Sequence, residues 1–276
     1  MALRINYNFE SVSAQRNLTG TQNSFFRAIE QLSSGLRINK AADDAAGLAV
    51  SEKLKNQVRG LNQAQRNAQD GISLVQTAEG ALSETHNILA RMRELSIQSA
   101  NDTLTNSDRV HIQGEVNQLL SEIDRIAVST TFNKIQLLGG AAVKLHVGPN
   151  NDTTSLAVNE MTVNFVSSYA SGLGVNAASV SAQSVSNDAI TAFDAAIETV
   201  STQRGLLGAY QNRLQSTINS LGVASENTGA ANSRIRDADI AAAVAEMTRT
   251  QILQQATMAV LAQANQSPQM ALQLLK

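Results

Sequence analysis

The sequence predicts a mainly α protein, an elongated antiparallel helical bundle or coiled-coil rod with a small β-hairpin region. Apolar residues recur in three-four alternation over three long stretches, and each such stripe must be buried against another. Only Pro149 and Pro268 interrupt the 276 residues, leaving long runs in which a helix need not break. Aromatic residues make up 3% and Trp is absent, which suits a thin bundle and argues against a deep, aromatic-lined pocket.

In chain order, Leu18, Phe25, Ile29, Leu32 and Leu36 are spaced by seven, four, three and four residues, a coiled-coil type of seam with few charges behind it. Such a helix has one sticky face and a weakly soluble back, so it is expected to need a partner. Ser33, Ser34 and Gly35 loosen the backbone, and Asp43 and Asp44 are placed to cap a new helix near Ala45. That helix carries a seam at Val75, Ala78, Leu82, Thr85, Leu89, Met92 and Ser96, widened by Ile72, Ile88 and Leu95. Unbroken to Ala100, it would span about 80 Å.

A polar patch from Asn101 to Asn106 turns the chain, and Ile112, Val116, Leu119, Ile123 and Ile126 continue the pattern, so an antiparallel pair is expected. Between Ser129 and Ser186 the period changes. Val143, Leu145 and Val147 alternate before Gly148 and Pro149, followed by Leu156 and Val158 and then Met161, Val163 and Phe165, which read as short hairpins. The Ser/Ala/Gly-rich stretch from Ser167 to Asn187 reads as a loop or a loosely held surface segment. Helical pattern resumes at Ile190 and continues through Phe193, Ile197, Val200, Arg204, Leu207, Gln211, Leu214, Ile218 and Leu221. From Thr250 to Leu275 no residue is charged, yet seven glutamines interrupt the aliphatics. That stretch is too polar for lipid and too uncharged for a well-solvated surface, and is best explained as a helix packed against other chains on most sides.

The formal net charge of −2 provides no basic footprint for nucleic acid and weakens self-repulsion. Without cysteine there is no disulfide, thiol nucleophile or thiolate metal site. The start lacks the pattern of a cleavable secretory signal, and no run of about 18 apolar residues could span a bilayer, so membrane insertion is not expected. His86, His111 and His146 have no acidic or histidine partners at helical spacing, which points to neither a metal site nor a general base. Asp43 and Asp44 read as caps before they read as a catalytic pair. Gly172-Leu173-Gly174 lacks the strand and the third glycine of a dinucleotide fingerprint. No catalytic, cofactor-binding or metal residue is expected; an enzyme on a helical scaffold is the reading from another class, and nothing in the residues supports it.

The run Leu32-Ser33-Ser34-Gly35-Leu36-Arg37-Ile38-Asn39, with Asp43 to Ala49 and Ser51-Glu52-Lys53, resembles the N-terminal core of bacterial flagellin. Ser233-Arg234-Ile235-Arg236-Asp237-Ala238-Asp239 and Ala262 to Gln266 through Leu274-Leu275 resemble its other end. The matches cover roughly residues 1 to 140 and 187 to 276. One departure is Ala42, where the family usually carries Gly. The resemblance implies paired N- and C-terminal helices: residues 1–44 with 237–276 would form the inner tube of a helical filament, and residues 45–236 a helical rod with hairpins at about 130–166. It also implies a homo-polymeric structural subunit used for swimming. Such a subunit would be exported through the flagellar export apparatus with an export chaperone, and would meet hook-associated junction and cap proteins in the extracellular flagellum. The junction protein, which resembles flagellin at both ends, is the nearest alternative within the family.

The residues expected to mediate polymerisation are Leu18, Phe25, Ile29, Leu32 and Leu36 at one end, with Ile240, Val244, Met247, Leu253, Val260, Leu274 and Leu275 at the other. Arg91-Met92-Arg93-Glu94-Leu95 resembles the segment of the family read by a host innate immune receptor. Arg91, Leu95 and Glu115 are therefore expected to form that patch, with Ala90 departing from the family's frequent Gln.

Overall fold

The computed structural model describes residues 7–151 and 158–273. Within these, five helices and four short strands follow one another: α1 (Phe9–Ser34), α2 (Ala45–Ser99), α3 (Asn106–Ser129), β1 (Thr131–Phe132), β2 (Ile135–Gln136), β3 (Ala142–His146), β4 (Glu160–Asn164), α4 (Gln183–Arg236) and α5 (Ile240–Gln273). The chain divides into two compact units, Met1–Asn56 with Asn227–Lys276 and Gln57–Glu226.

The core of the second unit is the stripe expected from α2. Val75, Ala78, Leu82, Thr85, Leu89, Met92 and Ser96 are all buried. They pack with Val116 and Ile123 of α3 and Phe193, Val200 and Leu207 of α4. On α4 the stripe drifts from the expected one. Ala189, Ala196 and Gln203 are buried where Ile190, Ile197 and Arg204 are half-buried. Small side chains let α4 approach its neighbours closely, and Gln203 Nε2 donates to Asn164 O of β4 at 3.0 Å. The two polar residues of the expected stripe converge on one acid of α2: Arg204 pairs with Glu79 at 3.8 Å, and Gln211 donates to it at 3.4 Å.

The α2–α3 connection is built from polar groups. Thr105 caps α3, and Asp108 returns the bond to the Thr105 backbone in a capping box. Arg109 is buried, and its partners are carbonyl and amide oxygens. Its guanidinium donates to Ser99 O at 2.8 Å, Asn101 O at 3.0 Å and Asn106 Oδ1 at 2.8 Å. Ser99 O is the last carbonyl of α2, where the helix leaves its acceptors unpaired and its dipole favours a cation.

β1 and β2 close a two-residue hairpin whose turn residues, Asn133 and Lys134, both have positive φ (47° and 67°). β3 and β4 pair antiparallel with Val143 opposite Val163 and Leu145 opposite Met161, the alternation seen in the sequence. Leu156, part of the expected hairpin pattern, lies outside the described residues. The stretch after β4 corrects the sequence reading of a loosely held surface loop. Ala170, Leu173, Val175 and Val180 belong to the main core. Backbone N–H groups there are held by helix side chains, Ala170 N by Asp124 at 2.9 Å and Val180 N by Gln113 at 2.6 Å. Small residues mark a loop by composition, but they also let irregular backbone pack flat against helices, provided its polar groups are satisfied. For the same reason α4 begins two turns before Ile190. Ser186 is buried against Ser99, whose hydroxyl donates to Val180 O at 2.6 Å.

Leu82 lies at the centre of this core, fully buried. Leu82→Ala is expected to lower the unfolding free energy of the unit by about 2–5 kcal/mol, read as a lower denaturant midpoint at unchanged slope.

Candidate functional site

The other unit pairs the two ends of the chain. Asn8 caps α1 by accepting from Ser11 N at 3.0 Å, and the same side chain donates to Ala264 O of α5 at 2.8 Å. Ser11 Oγ meets Asn265 Oδ1 at 2.9 Å. At the opposite end of the pair Leu36 bridges antiparallel to Asp237, so α1 and α5 run antiparallel. The α1 seam is Ser11, Ala14, Leu18, Thr21, Phe25, Ala28 and Leu32, and that of α5 is Ala243, Met247, Thr250, Gln254, Thr257, Leu261 and Ala264, each buried or half-buried. Both follow three-four alternation without a break.

Four of the seven residues in each seam are Ala, Ser or Thr, and small side chains let helices approach closely. Outside the seam α1 exposes Phe9, Val12, Phe26 and Ile29, and α5 exposes Ile240, Val244, Ile252, Leu253, Met258 and Val260; Phe26 is 64% and Val260 58% accessible. Large apolar side chains this exposed on two paired helices are available to a partner. Of the residues expected to mediate polymerisation, Ile29, Ile240, Val244, Leu253 and Val260 lie on this exposed surface. Leu18, Phe25, Leu32 and Met247 lie in the seam within one chain. Leu274 and Leu275 fall outside the described residues. The sequence reading placed Ile29 in the seam because it stands four from Phe25; Ala28, three from Phe25, takes that place and turns Ile29 outward. The small residues were missed because Ala, Ser and Thr carry no apolar signal, although their spacing of seven is visible once a partner seam is known.

Leu36 also departs from expectation, since it is not on the helix. Gly35 adopts φ 69°, a left-handed conformation that suits a residue without Cβ, and ends α1 there with its N–H on Gln31 O. The chain then folds against the end of α4. Arg37 N donates to Arg236 O at 2.7 Å and Ala238 N to Gly35 O at 2.9 Å. The Arg37 guanidinium donates to Ile235 O from Nε at 3.1 Å and Nη2 at 2.5 Å. Arg236 reaches Glu52 of α2 at 2.5 Å. Ile38 is buried here, and a Cβ on Gly47 would stand 2.8 Å from Ile38 Cδ1 and overlap the Asp44 carboxylate. The two acids expected as caps divide the work. Asp44 caps α2 by accepting from Gly47 N at 2.8 Å, and Asp239 does the same for α5 through Ala241 N and Ala242 N. Asp43 instead turns back to accept from Asn39 N and Lys40 N at 3.2 and 3.0 Å. Ala42 has no positive φ, so its place in this turn does not call for glycine.

In the second unit, Arg91 and Glu115 are exposed partners on α2 and α3. Arg91 donates to Glu115 Oε1 from Nε at 3.1 Å and Nη2 at 3.0 Å, and to Glu94 at 3.2 Å. The bonds to Glu115, and then those to Glu94, hold the guanidinium pKa above its ordinary value. Leu95 does not share their surface: it is 2% exposed and part of the core. It follows Met92 by three residues and adjoins Ser96, both buried, so it widens the core stripe.

Two family models match the chain, the bacterial flagellin N-terminal helical region over residues 5–142 and the C-terminal helical region over residues 190–275. The chain is 49% identical over 274 residues to a flagellin of Halalkalibacterium halodurans, with 99% of each covered. It is 46% identical over 293 residues to the flagellar filament 33 kDa core protein of Treponema phagedenis, again with 99% of each covered. Among solved structures, a flagellar hook-associated protein from Vibrio parahaemolyticus matches with a TM-score of 0.57 at 15% identity, over 71% of this chain and all of that one.

The Lys40 and Asn39 N–H groups, which the Asp43 carboxylate accepts, hold its pKa below the ordinary value. Its contribution to the joint is thus present above about pH 4, the unfolded value, and lost as pH falls through the lower folded value. The amide shifts of Asn39 and Lys40 are expected to titrate together in that acid range, and Asp43→Asn to remove the step. A step that survives unchanged in Asp43→Asn would contradict this assignment.

Proposed function

The chain belongs to the bacterial flagellin family, and from that premise we propose how its exposed terminal surfaces serve assembly. It is a structural subunit of the flagellar filament, the apparatus of swimming, and not an enzyme. The observation that carries the reading is the exposed apolar surface of α1 and α5, adjoining a stretch from Thr250 to Leu275 without charge. A surface of that kind is stable in water when neighbouring copies cover it, and a head-to-tail contact that does not close into a ring extends as a filament.

In this reading residues 1–44 with 237–276 form the inner tube and residues 45–236 a helical rod with hairpins at about 130–166. Leu18, Phe25, Leu32 and Met247 hold the pair within one copy, while Ile29, Ile240, Val244, Leu253 and Val260 meet other copies. The subunit travels unfolded through the flagellar export apparatus, escorted by an export chaperone. It is added to the extracellular filament between the hook-associated junction proteins and the cap. The narrow α1–α5 seam supports this route, because a pair that buries little surface is readily opened. The 46% identity to a filament core protein over 99% of both chains favours the filament subunit over the junction protein.

Leu253→Asp or Val260→Asp is expected to abolish seeded filament growth while circular dichroism of the monomer stays unchanged, since each charge is solvated in the monomer and desolvated in the polymer. Leu82→Asp, in the buried core, should unfold the monomer instead. Normal filaments from both α5 variants would refute the reading.

A host innate immune receptor is proposed to recognise free subunits through Arg91 and Glu115, with the buried Leu95 supporting that surface from beneath. Arg91→Ala is expected to weaken monomer binding to the receptor by about tenfold or more without loss of helicity, because the Arg91 ion pairs are exposed and add little to folding. Unchanged binding would remove the patch from the interface.

A further inference from the structure

We propose that the polar clasp centred on Arg37 sets the register of α1 against α5, selecting one of several alignments that the seam itself accepts. The seam repeats every seven residues on both helices. On α1 the larger side chains Leu18, Phe25 and Leu32 recur at seven, with the small Ala14, Thr21 and Ala28 between them. On α5 the larger Met247, Gln254 and Leu261 recur at seven, with the small Ala243, Thr250, Thr257 and Ala264 between them. Sliding one helix by seven residues, about 10.5 Å, again sets large against small. Coiled coils specify register with a polar residue at a seam position. Here Gln254 has a hydrophobic Leu and Met one heptad to either side, while the two central threonines are identical.

Two features discriminate between alignments. At the far end are the bonds of Asn8 to Ala264 O and of Ser11 to Asn265. At the joint stands a denser set. Leu36 bridges Asp237, Arg37 N donates to Arg236 O, Ala238 N donates to Gly35 O, and the Arg37 fork closes on Ile235 O. Ile235 is in the last turn of α4, where carbonyls lack helical partners and a cation is favoured. The Arg37 side chain therefore ties the residue three beyond the end of α1 to the residue five before the start of α5. A lysine offers a single rotatable point charge where the guanidinium offers two parallel donors. Register matters beyond the pair itself. One heptad of slip displaces Phe26 and Ile29 relative to Val244 and Leu253, breaking up the surface that a neighbouring copy would cover. That last consequence rests on the assembly reading; the register assignment does not.

The native chain has no cysteine, so engineered pairs report register directly. In the full-length monomer, Ser11→Cys with Asn265→Cys is expected to join through a short bismaleimide. The pairs one heptad away, Ser11→Cys with Met258→Cys and Leu18→Cys with Asn265→Cys, should stay at background. Adding Arg37→Ala is expected to raise at least one slipped product about tenfold, with Arg37→Lys between Arg37→Ala and the native residue. Seeded filament growth should fall in the same order. Retention of the in-register product alone in Arg37→Ala would overturn the proposal. Loss of every product would overturn it too, since Arg37 would then hold the helices together without choosing their alignment. Slipped products accompanied by normal filaments would uphold the clasp and count against the assembly reading.

Discussion

Helices that meet along alanine, serine and threonine approach closely, and a close, narrow seam covers little of either one. That constraint governs the terminal unit. Ala14 and Ala28 of α1 and Ala243 and Ala264 of α5 are buried, while Phe26, Ile252 and Val260 remain in water. Covering each large aliphatic or aromatic side chain of that kind is worth about 1.5–3 kcal/mol, so the paired ends retain a strong drive toward further burial. The uncharged run after Arg249 removes the repulsion that would otherwise oppose it. A wider seam of leucines would have made a more stable monomer with less reason to polymerise.

The second unit resolves the same problem differently. Its stripes on α2, α3 and α4 are satisfied within the chain, and its irregular segments are drawn into the core. Several buried polar groups there find partners across the fold: Arg109 with Ser99 O, Gln113 with Val180 N, and Asp124 with Ala170 N. Each removal would leave an unpaired buried donor or acceptor, a loss of about 1–3 kcal/mol. One part of the chain is thus complete by itself and the other is left open, as a subunit requires that must survive free and still add to a growing polymer.

The joint is where close approach is most demanding. Gly35 ends α1 in the left-handed region, Gly47 leaves room for Ile38 and the Asp44 carboxylate, and Arg37 closes the gap to α4. Aspartates cap the helices that leave on either side, Asp44 for α2 and Asp239 for α5. Small residues and short acids do here what large apolar residues do in the core. They fix direction by hydrogen bonds where there is too little surface to fix it by packing.

How far the sequence reached depended on the size of the side chains involved. The α2 and α3 stripes and the alternation of Val143 with Leu145 and of Met161 with Val163 follow from periodicity, because large apolar residues at helical or alternating spacing share one face, and the helix start near Ala45 follows from the acids before it. The likeness of the two ends to flagellin identified the assembly role before any geometry. Tertiary structure alone decided which face of α1 is inward, since Ala28 and Ile29 are neighbours and only the presence of α5 selects the smaller. It alone placed Leu95 in the core beneath Arg91 and Glu115, drew the loop around Val175 inward and gave Arg109 and Arg37 their acceptors. Hydrophobic spacing is written in the local chain, whereas the closeness of two backbones and the carbonyls a guanidinium will meet depend on residues far away in sequence.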